Sequence, residues 1–152
     1  MDIIELLEET GTKYELREHL PTFTAQRMAA VEHEKGIYVA KPVIVKADEK
    51  FMLCVLSANH KVNLNALKES LGAESLELAE EEEIAKIFND CELGAEPPVG
   101  SLYNIPTIID KTLLEDDHIL FQAGSHEKTL LMRMKDYIEL AKPKVLDFAY
   151  HI

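Results

Sequence analysis

Tryptophan is absent from this chain of 152 residues, cysteine occurs twice, glycine and proline six times each, and lysine plus arginine number 16 against 28 acids. Each shortage excludes something. Six glycines and six prolines rule out collagen-like and Pro/Gly-rich disordered sequence, and a hydrophobic content of 47% is that of an ordinary globular protein. Cys54 and Cys91 form no CxxC pair. Cys54 sits in an apolar strand-like run and reads as a buried structural thiol, while the acidic neighbours of Cys91 would raise its pKa, so neither reads as a nucleophile. Apolar runs such as Val43-Ile44-Val45 and Met52 to Leu56 fall far short of the ~20 residues of a membrane span. Met1-Asp2-Ile3-Ile4-Glu5 lacks the basic segment of a secretory signal, which makes a cytoplasmic location the expectation. HExxH, P-loop, GxGxxG and GxSxG motifs are missing, as is clustered Cys/His spacing, so no metal or other cofactor is expected.

At this length one domain spanning 1–152 is expected, large enough to bury a core without disulfides or metals. The scarcity of bases gives a formal charge of -12, which opposes a nucleic-acid partner, because affinity for phosphate comes from Lys and Arg. The charge is unevenly spread. From Glu74 to Glu96 nine acids face Lys86 alone, a local -8, leaving -4 for the rest of the chain. Between Gly124 and Lys144 five bases face three acids, a local +2 that admits a locally docked RNA contact. Tight reading of duplex nucleic acid is excluded by the lack of a zinc finger, RNP motif or basic helix.

Hydrophobic spacing predicts alternating short helices and strands. Ile3, Ile4, Leu6 and Leu7 mark a first helix stopped by Gly11, and Tyr14 to His19 reads as a strand. Thr24 is placed to cap a helix from Ala25 to about His33. Tyr38 to Ala47 and Phe51 to Ser57 form a hairpin across Asp48-Glu49-Lys50, with Pro42 implying an edge or a bulge. Asn63 caps a helix closed by Gly72, Ser75 to Leu78 is a short strand, and the glutamates from Glu80 open another helix, where negative charge suits the N-terminal dipole. Strands follow near Thr107–Ile109, His118–Ala123 and Lys128–Arg133, then a helix from Lys135 to Ala141. Without a regular βαβ rhythm, the pattern indicates an α+β fold with a mixed sheet.

Three features carry chemistry. Gly94-Ala95-Glu96-Pro97-Pro98-Val99-Gly100 is a stiff loop whose backbone N–H groups can approach a carbonyl oxygen closely. Lys41 interrupts the apolar strand Ile37 to Val45 and shares a face with Val39, Val43 and Val45, so it either snorkels to water or meets an anion in a pocket. Lys46, on the other face near the hairpin end, is expected in solvent. Of six scattered histidines, His126 stands out because Gly124-Ser125-His126 is a short turn able to project an imidazole and a hydroxyl into a cleft, or simply a polar hairpin turn.

Taken together and in this order, Pro21 to Ala25, Val39-Ala40-Lys41, the Gly94 to Gly100 loop, Pro106 to Asp110 and Ala123 to His126 resemble the YbaK/EbsC and prolyl-tRNA-synthetase-associated editing family over nearly the whole chain. The resemblance implies a partly barrel-like mixed sheet flanked by helices, and a trans-acting hydrolase that removes wrongly attached small amino acids from tRNA, of the Ala- or Cys-tRNAPro type. It makes Lys41, Gly94 and His126 the catalytic candidates. Lys41 resembles the lysine that contacts the phosphate or ribose of the terminal adenosine, and Gly94 and Pro98 resemble the GxxxP loop that meets the aminoacyl carbonyl. Thr24, Pro98, Gly100, Asp110 and Ser125 are the implied substrate-binding residues. Cleavage is then expected from water, the tRNA hydroxyl or the substrate side chain, with loop amides stabilising the oxyanion. The sequence departs from the family at Pro42, where threonine often follows the lysine, and this bears on substrate choice. Its acidity points to a tethering partner, with a synthetase as the candidate. Two other readings stay open: a non-catalytic module that binds aminoacyl-tRNA or aminoacyl-adenosine, and a protein-interaction module using the acidic 74–96 face.

Overall fold

The computed structural model describes residues 1–18 and 37–151. The predicted helix from Ala25 to His33 and its cap Thr24 lie outside the described residues. Helix α1, Ile3–Thr10, starts where the Asp2 side chain accepts the Glu5 N–H and stops at Gly11, burying Ile3 and Leu7. Strand β1 (Glu15–Glu18) follows, and β2 (Ile37–Ala47) with β3 (Lys50–Ser57) forms the predicted hairpin. Its two-residue turn places Asp48 and Glu49 at positive φ, 48° and 70°, the geometry that matches the twist of the flanking strands.

The remaining elements are β4 (His60–Val62), α2 (Leu64–Leu71), β5 (Leu76–Leu78), α3 (Glu81–Ile87), β6 (Thr107–Asp110), β7 (His118–Gln122), β8 (Lys128–Arg133), α4 (Met134–Ala141), β9 (Lys144–Leu146) and β10 (Ala149–His151). Short 3-10 turns occupy Gly100–Tyr103 and Lys111–Glu115. Asn63 and Gly72 bound α2, and α3 opens on a capping box between Glu80 and Glu83.

Eight strands form one mixed sheet in the order β1-β8-β7-β2-β3-β6-β9, with β5 branching from β2. The β7–β2, β3–β6 and β6–β9 pairings are parallel and the others antiparallel. This is the mixed α+β architecture expected from the sequence. Strands β4 and β10 make a separate ribbon. The central strand β3 is buried on both faces, which explains the unbroken apolar run Leu53 to Leu56. Leu53 and Val55 join Ile44 and Ile109 in one core cluster, while Cys54 and Leu56 join Val45, Leu67, Ile108 and Phe148 in the other.

Strand β2 is long enough to serve two neighbours along one edge: Val39 is its last partner of β7 and Val45 its first partner of β5. The Ile44 carbonyl faces that edge, accepting the Ala79 N–H at 2.9 Å. By strand alternation the nitrogen of Pro42 faces it too, in the stretch where neither strand pairs, so its missing N–H costs no ladder bond. Lys46 differs from expectation. It is mostly buried, with Nζ 2.7 Å from Glu83 Oε2 and 5.5 Å from the centre of the Phe51 ring, because α3 packs its acidic first turn over the hairpin end.

Candidate active site

The site grows from the edge of β2 described above. Val39 lies beside Leu120 of β7, and two residues further along each strand stand Lys41 and Gln122, on the same face by alternation. Lys41 is half-buried, and among the described residues no carboxylate lies within ion-pair distance of it. Burial holds its ammonium below the ordinary lysine range, and the nearby charge of Lys61 lowers it further. A half-buried ammonium without a carboxylate partner among the described residues is suited to meet an anion.

From Gln122 the chain turns through residues 123–126, and this turn is stitched to the Gly94 loop. Glu92 N–H donates to Gly124 O at 2.8 Å, Gly124 N–H to Ala95 O at 2.8 Å and Ala95 N–H to Glu92 O at 3.0 Å. His126 locks the join. Its Nε2 lies 2.8 Å from Leu93 O, which can only accept, so Nε2 carries the proton and Nδ1 accepts from Gln122 Nε2 at 3.2 Å. Its backbone N–H donates to Glu92 Oε2 at 3.2 Å. Both ring nitrogens are therefore engaged in holding the loop, which makes His126 a buried brace in this structure.

Gly94 adopts φ +88°, a conformation that L side chains rarely adopt, and a Cβ there would lie 3.6 Å from His126 Cε1. The requirement at Gly100 is steric, since a Cβ would stand 2.4 Å from Ile105 O and 2.7 Å from Thr107 Oγ1. Further along the loop, Tyr137 buries its hydroxyl against Pro98 O at 2.6 Å.

A count of the loop donors narrows the chemistry. Ala95 N–H is used by Glu92 O, Val99 N–H by Pro97 O at 2.8 Å and Gly100 N–H by Thr107 Oγ1 at 2.8 Å, and the two prolines have none. Gly94 N–H makes only a long 3.3 Å contact to Glu96 Oε1. Glu96 N–H faces the same carboxylate. These two amides are the loop donors that no backbone carbonyl or hydroxyl takes. Glu96 itself is 3% exposed, its Oε2 has no partner among the described residues, and burial raises its pKa.

Other sequence candidates fall elsewhere. Asp110 is fully buried: Oδ1 accepts Phe148 N–H at 2.9 Å and Ala149 N–H at 3.0 Å, while Oδ2 accepts from the Thr112 N–H and hydroxyl. Its four donors all come from the chain, so it ties the end of β6 to the segment before β10. Ser125 Oγ accepts the Glu127 N–H at 3.1 Å, and the residue lines a recess against the start of α1 with Cys91, Tyr103 and Lys128. Burial pushes the thiols of Cys54 and Cys91 up to about 12, which keeps both protonated at neutral pH. Glu92, Glu96, Gln122 and Tyr137 are the site residues that sequence reasoning missed. The signal for Glu96 was its place between Gly-Ala and Pro-Pro-Val, an apolar setting unlike the rest of the acidic run.

Comparison with known proteins adds the chemical context. Residues 19–140 match the family model described as an aminoacyl-tRNA editing domain. The multifunctional Ser/Thr-tRNA deacylase ProXp-y of Escherichia coli (strain K12) is 24% identical over 151 residues, covering 96% of this chain and 90% of that protein. The prolyl-tRNA editing protein ProX of Acetoanaerobium sticklandii is 23% identical over 146 residues, covering 92% and 88%. Among solved structures, a proposed trans-editing enzyme for prolyl-tRNA synthetase superposes with a TM-score of 0.83 at 22% identity, covering 97% of this chain and 94% of that one.

Proposed function

This chain belongs to the family of aminoacyl-tRNA editing domains, and from that premise we propose that it is a deacylase that hydrolyses the ester joining a small, wrongly attached amino acid to tRNA. The observation that carries the reading is Lys41, a half-buried ammonium with no carboxylate partner among the described residues and a second lysine nearby. The acceptor end of tRNA supplies the missing anion, and Lys41 binds its phosphate or the terminal ribose. The Gly94 loop meets the ester carbonyl at the other end of the site.

Attack on the carbonyl carbon by water, or by the neighbouring ribose hydroxyl followed by water, gives a tetrahedral oxyanion. Collapse breaks the bond to the ribose oxygen and releases free amino acid and uncharged tRNA. Gly94 N–H and Glu96 N–H are placed for that oxyanion, and a preorganised donor of this kind contributes ~3 kcal/mol. No side-chain nucleophile is assigned, since both thiols are held protonated and the Ser125 hydroxyl is turned to its own loop. His126 acts through the loop as a positioning residue, because its Nε2 proton is committed to Leu93 O.

The substrates are small aminoacyl groups, with alanine and cysteine on tRNAPro foremost. The activity for which the E. coli relative is named adds serine and threonine to the candidates. A synthetase is the proposed partner that brings the tRNA to so acidic a protein, in keeping with the trans-editing role ascribed to the structural neighbour. The test is a panel of tRNAs charged with alanine, cysteine, serine, threonine and proline, incubated with the wild-type protein and with Lys41→Ala. Release of one or more amino acids that is lost in a folded Lys41→Ala variant supports the reading. Unchanged turnover in that variant, or no release with or without a synthetase, overturns it.

A further inference from the structure

The carboxylate of Glu96 has no task in the deacylation steps, yet it is one of the most unusual groups in the molecule. Only 3% of the residue is exposed, and it belongs to the very loop that handles the carbonyl. Oε1 takes the Gly94 N–H at a long 3.3 Å, the residue's own N–H also faces the carboxylate, and among the described residues Oε2 has no partner. Leaving a carboxylate oxygen buried without a donor is costly, so such a group is suited to a cation or donor that arrives with the ligand.

Every substrate of the proposed reaction carries one. An aminoacyl ester has a free α-amino group on the carbon next to the carbonyl, protonated or ready to donate. We propose that Glu96 is the receptor for this α-ammonium and thereby positions the ester. In the ligand-free protein the carboxylate leans on Gly94 N–H. When the ammonium arrives, it replaces that amide as the partner of Glu96, and Gly94 N–H is released to the carbonyl oxygen one carbon away. Recognition of the amine and exposure of the oxyanion donor are then one event. Among the described residues, the other charged or titratable groups around the carboxylate are His126, whose ring proton is committed to Leu93 O, and Cys91, whose thiol stays protonated, so neither supplies the missing cation.

This inference rests on the deacylase reading and specifies the chemical class it accepts: esters with a free α-amine, not N-acylated ones. The experiment compares seryl-tRNA and alanyl-tRNA with their N-acetylated forms, using wild-type protein and Glu96→Gln, which keeps size and the contact to Gly94 N–H. Wild type is expected to favour the free amine by about tenfold or more, the range of a hydrogen bond to a charged group. Glu96→Gln is expected to lose that preference through slower turnover of the free-amine substrate alone. A brace of the loop would slow both substrates equally, and that result overturns the proposal, as does a wild-type protein that treats the two forms alike. The wild-type comparison needs no variant, so a Glu96→Gln protein that fails to fold leaves the proposal exposed to refutation. Absence of turnover on every free-amine substrate instead removes the deacylase reading, and this inference falls with it.

Discussion

Replacing Asp110 with alanine separates a structural carboxylate from a substrate-binding one. The side chain has no exposed surface and accepts four hydrogen bonds, two from the backbone N–H groups of Phe148 and Ala149 and two from Thr112. Truncation leaves the Phe148 N–H buried without an acceptor and the Ala149 N–H partly so, while Thr112 at the 3-10 turn can reach water. An orphaned buried donor costs ~1–3 kcal/mol, and bonds to a charged acceptor sit at the upper end, so the two backbone groups together give about 4 kcal/mol. For a chain of this size each kcal/mol lowers Tm by ~2–4 °C, which places the expected drop at ~8–16 °C. Thermal melting followed by circular dichroism reads that number, and deacylation well below the new Tm reads the other half of the argument. There kcat/KM is expected to stay within about twofold of wild type, because both oxygens of Asp110 are already taken by donors of the chain itself and none is left for a substrate. A variant that melts like wild type yet has lost a hundredfold in kcat/KM would refute this assignment and place Asp110 against the substrate.

Three further outcomes are expected. Gly100→Ala forces a Cβ to within 2.4 Å of a backbone oxygen, so it lowers Tm by several degrees and slows deacylation together, read by melting and kinetics on the same sample. Tyr137→Phe strips the buried Pro98 carbonyl of its 2.6 Å donor, which costs ~1–2 kcal/mol in urea unfolding and loosens the loop enough to lower kcat more than it raises KM. The Lys41 ammonium titrates below the ordinary value of 10.5, so affinity for a non-hydrolysable aminoacyl-adenosine phosphate is full below that lowered pKa and falls as pH rises through it. Lys41→Arg, which keeps its charge, is expected to move that alkaline loss upward in fluorescence or calorimetric titration, and an unmoved profile would assign the loss to another group.

Much of the scaffold was legible because its signals are local. Asn63, Gly11 and Gly72 sit at helix ends for reasons a single residue carries, and the hairpin across Asp48-Glu49 announces itself by two apolar runs with one polar break. Strands β4, β9 and β10 were not legible, since their pairing is set by distant partners and their three residues carry no alternation of their own, unlike Leu76-Glu77-Leu78 of β5. Lys41 could be singled out because alternation alone put a charge among valines. Glu96 was not: it was counted with the acidic stretch that begins at Glu74, although its apolar setting between Gly94-Ala95 and Pro97-Pro98 sets it apart from its solvated neighbours. The same stretch lost two more members to internal duty, Glu83 to Lys46 and Glu92 to the His126 N–H, which weakens the case for a continuous acidic docking face. The burial of Lys46 was hidden for the complementary reason, that its counter-ion lies 37 positions away.

In the mechanism proposed above the donors for the ester belong to the main chain at Gly94 and Glu96, and this bears on how such a protein can change its substrate over generations. A backbone N–H is encoded at every position except proline, so drift in side chains leaves it in place so long as the loop keeps its path. On that proposal the donors themselves survive side-chain drift wherever Gly94, Gly100 and the Tyr137 contact keep the loop on its path, and the walls around it are free to be rewritten. On the same proposal, selectivity for the aminoacyl group can change by exchange of wall residues alone. Relatives that differ at three positions in four can be expected to share a reaction while disagreeing about which amino acid they correct.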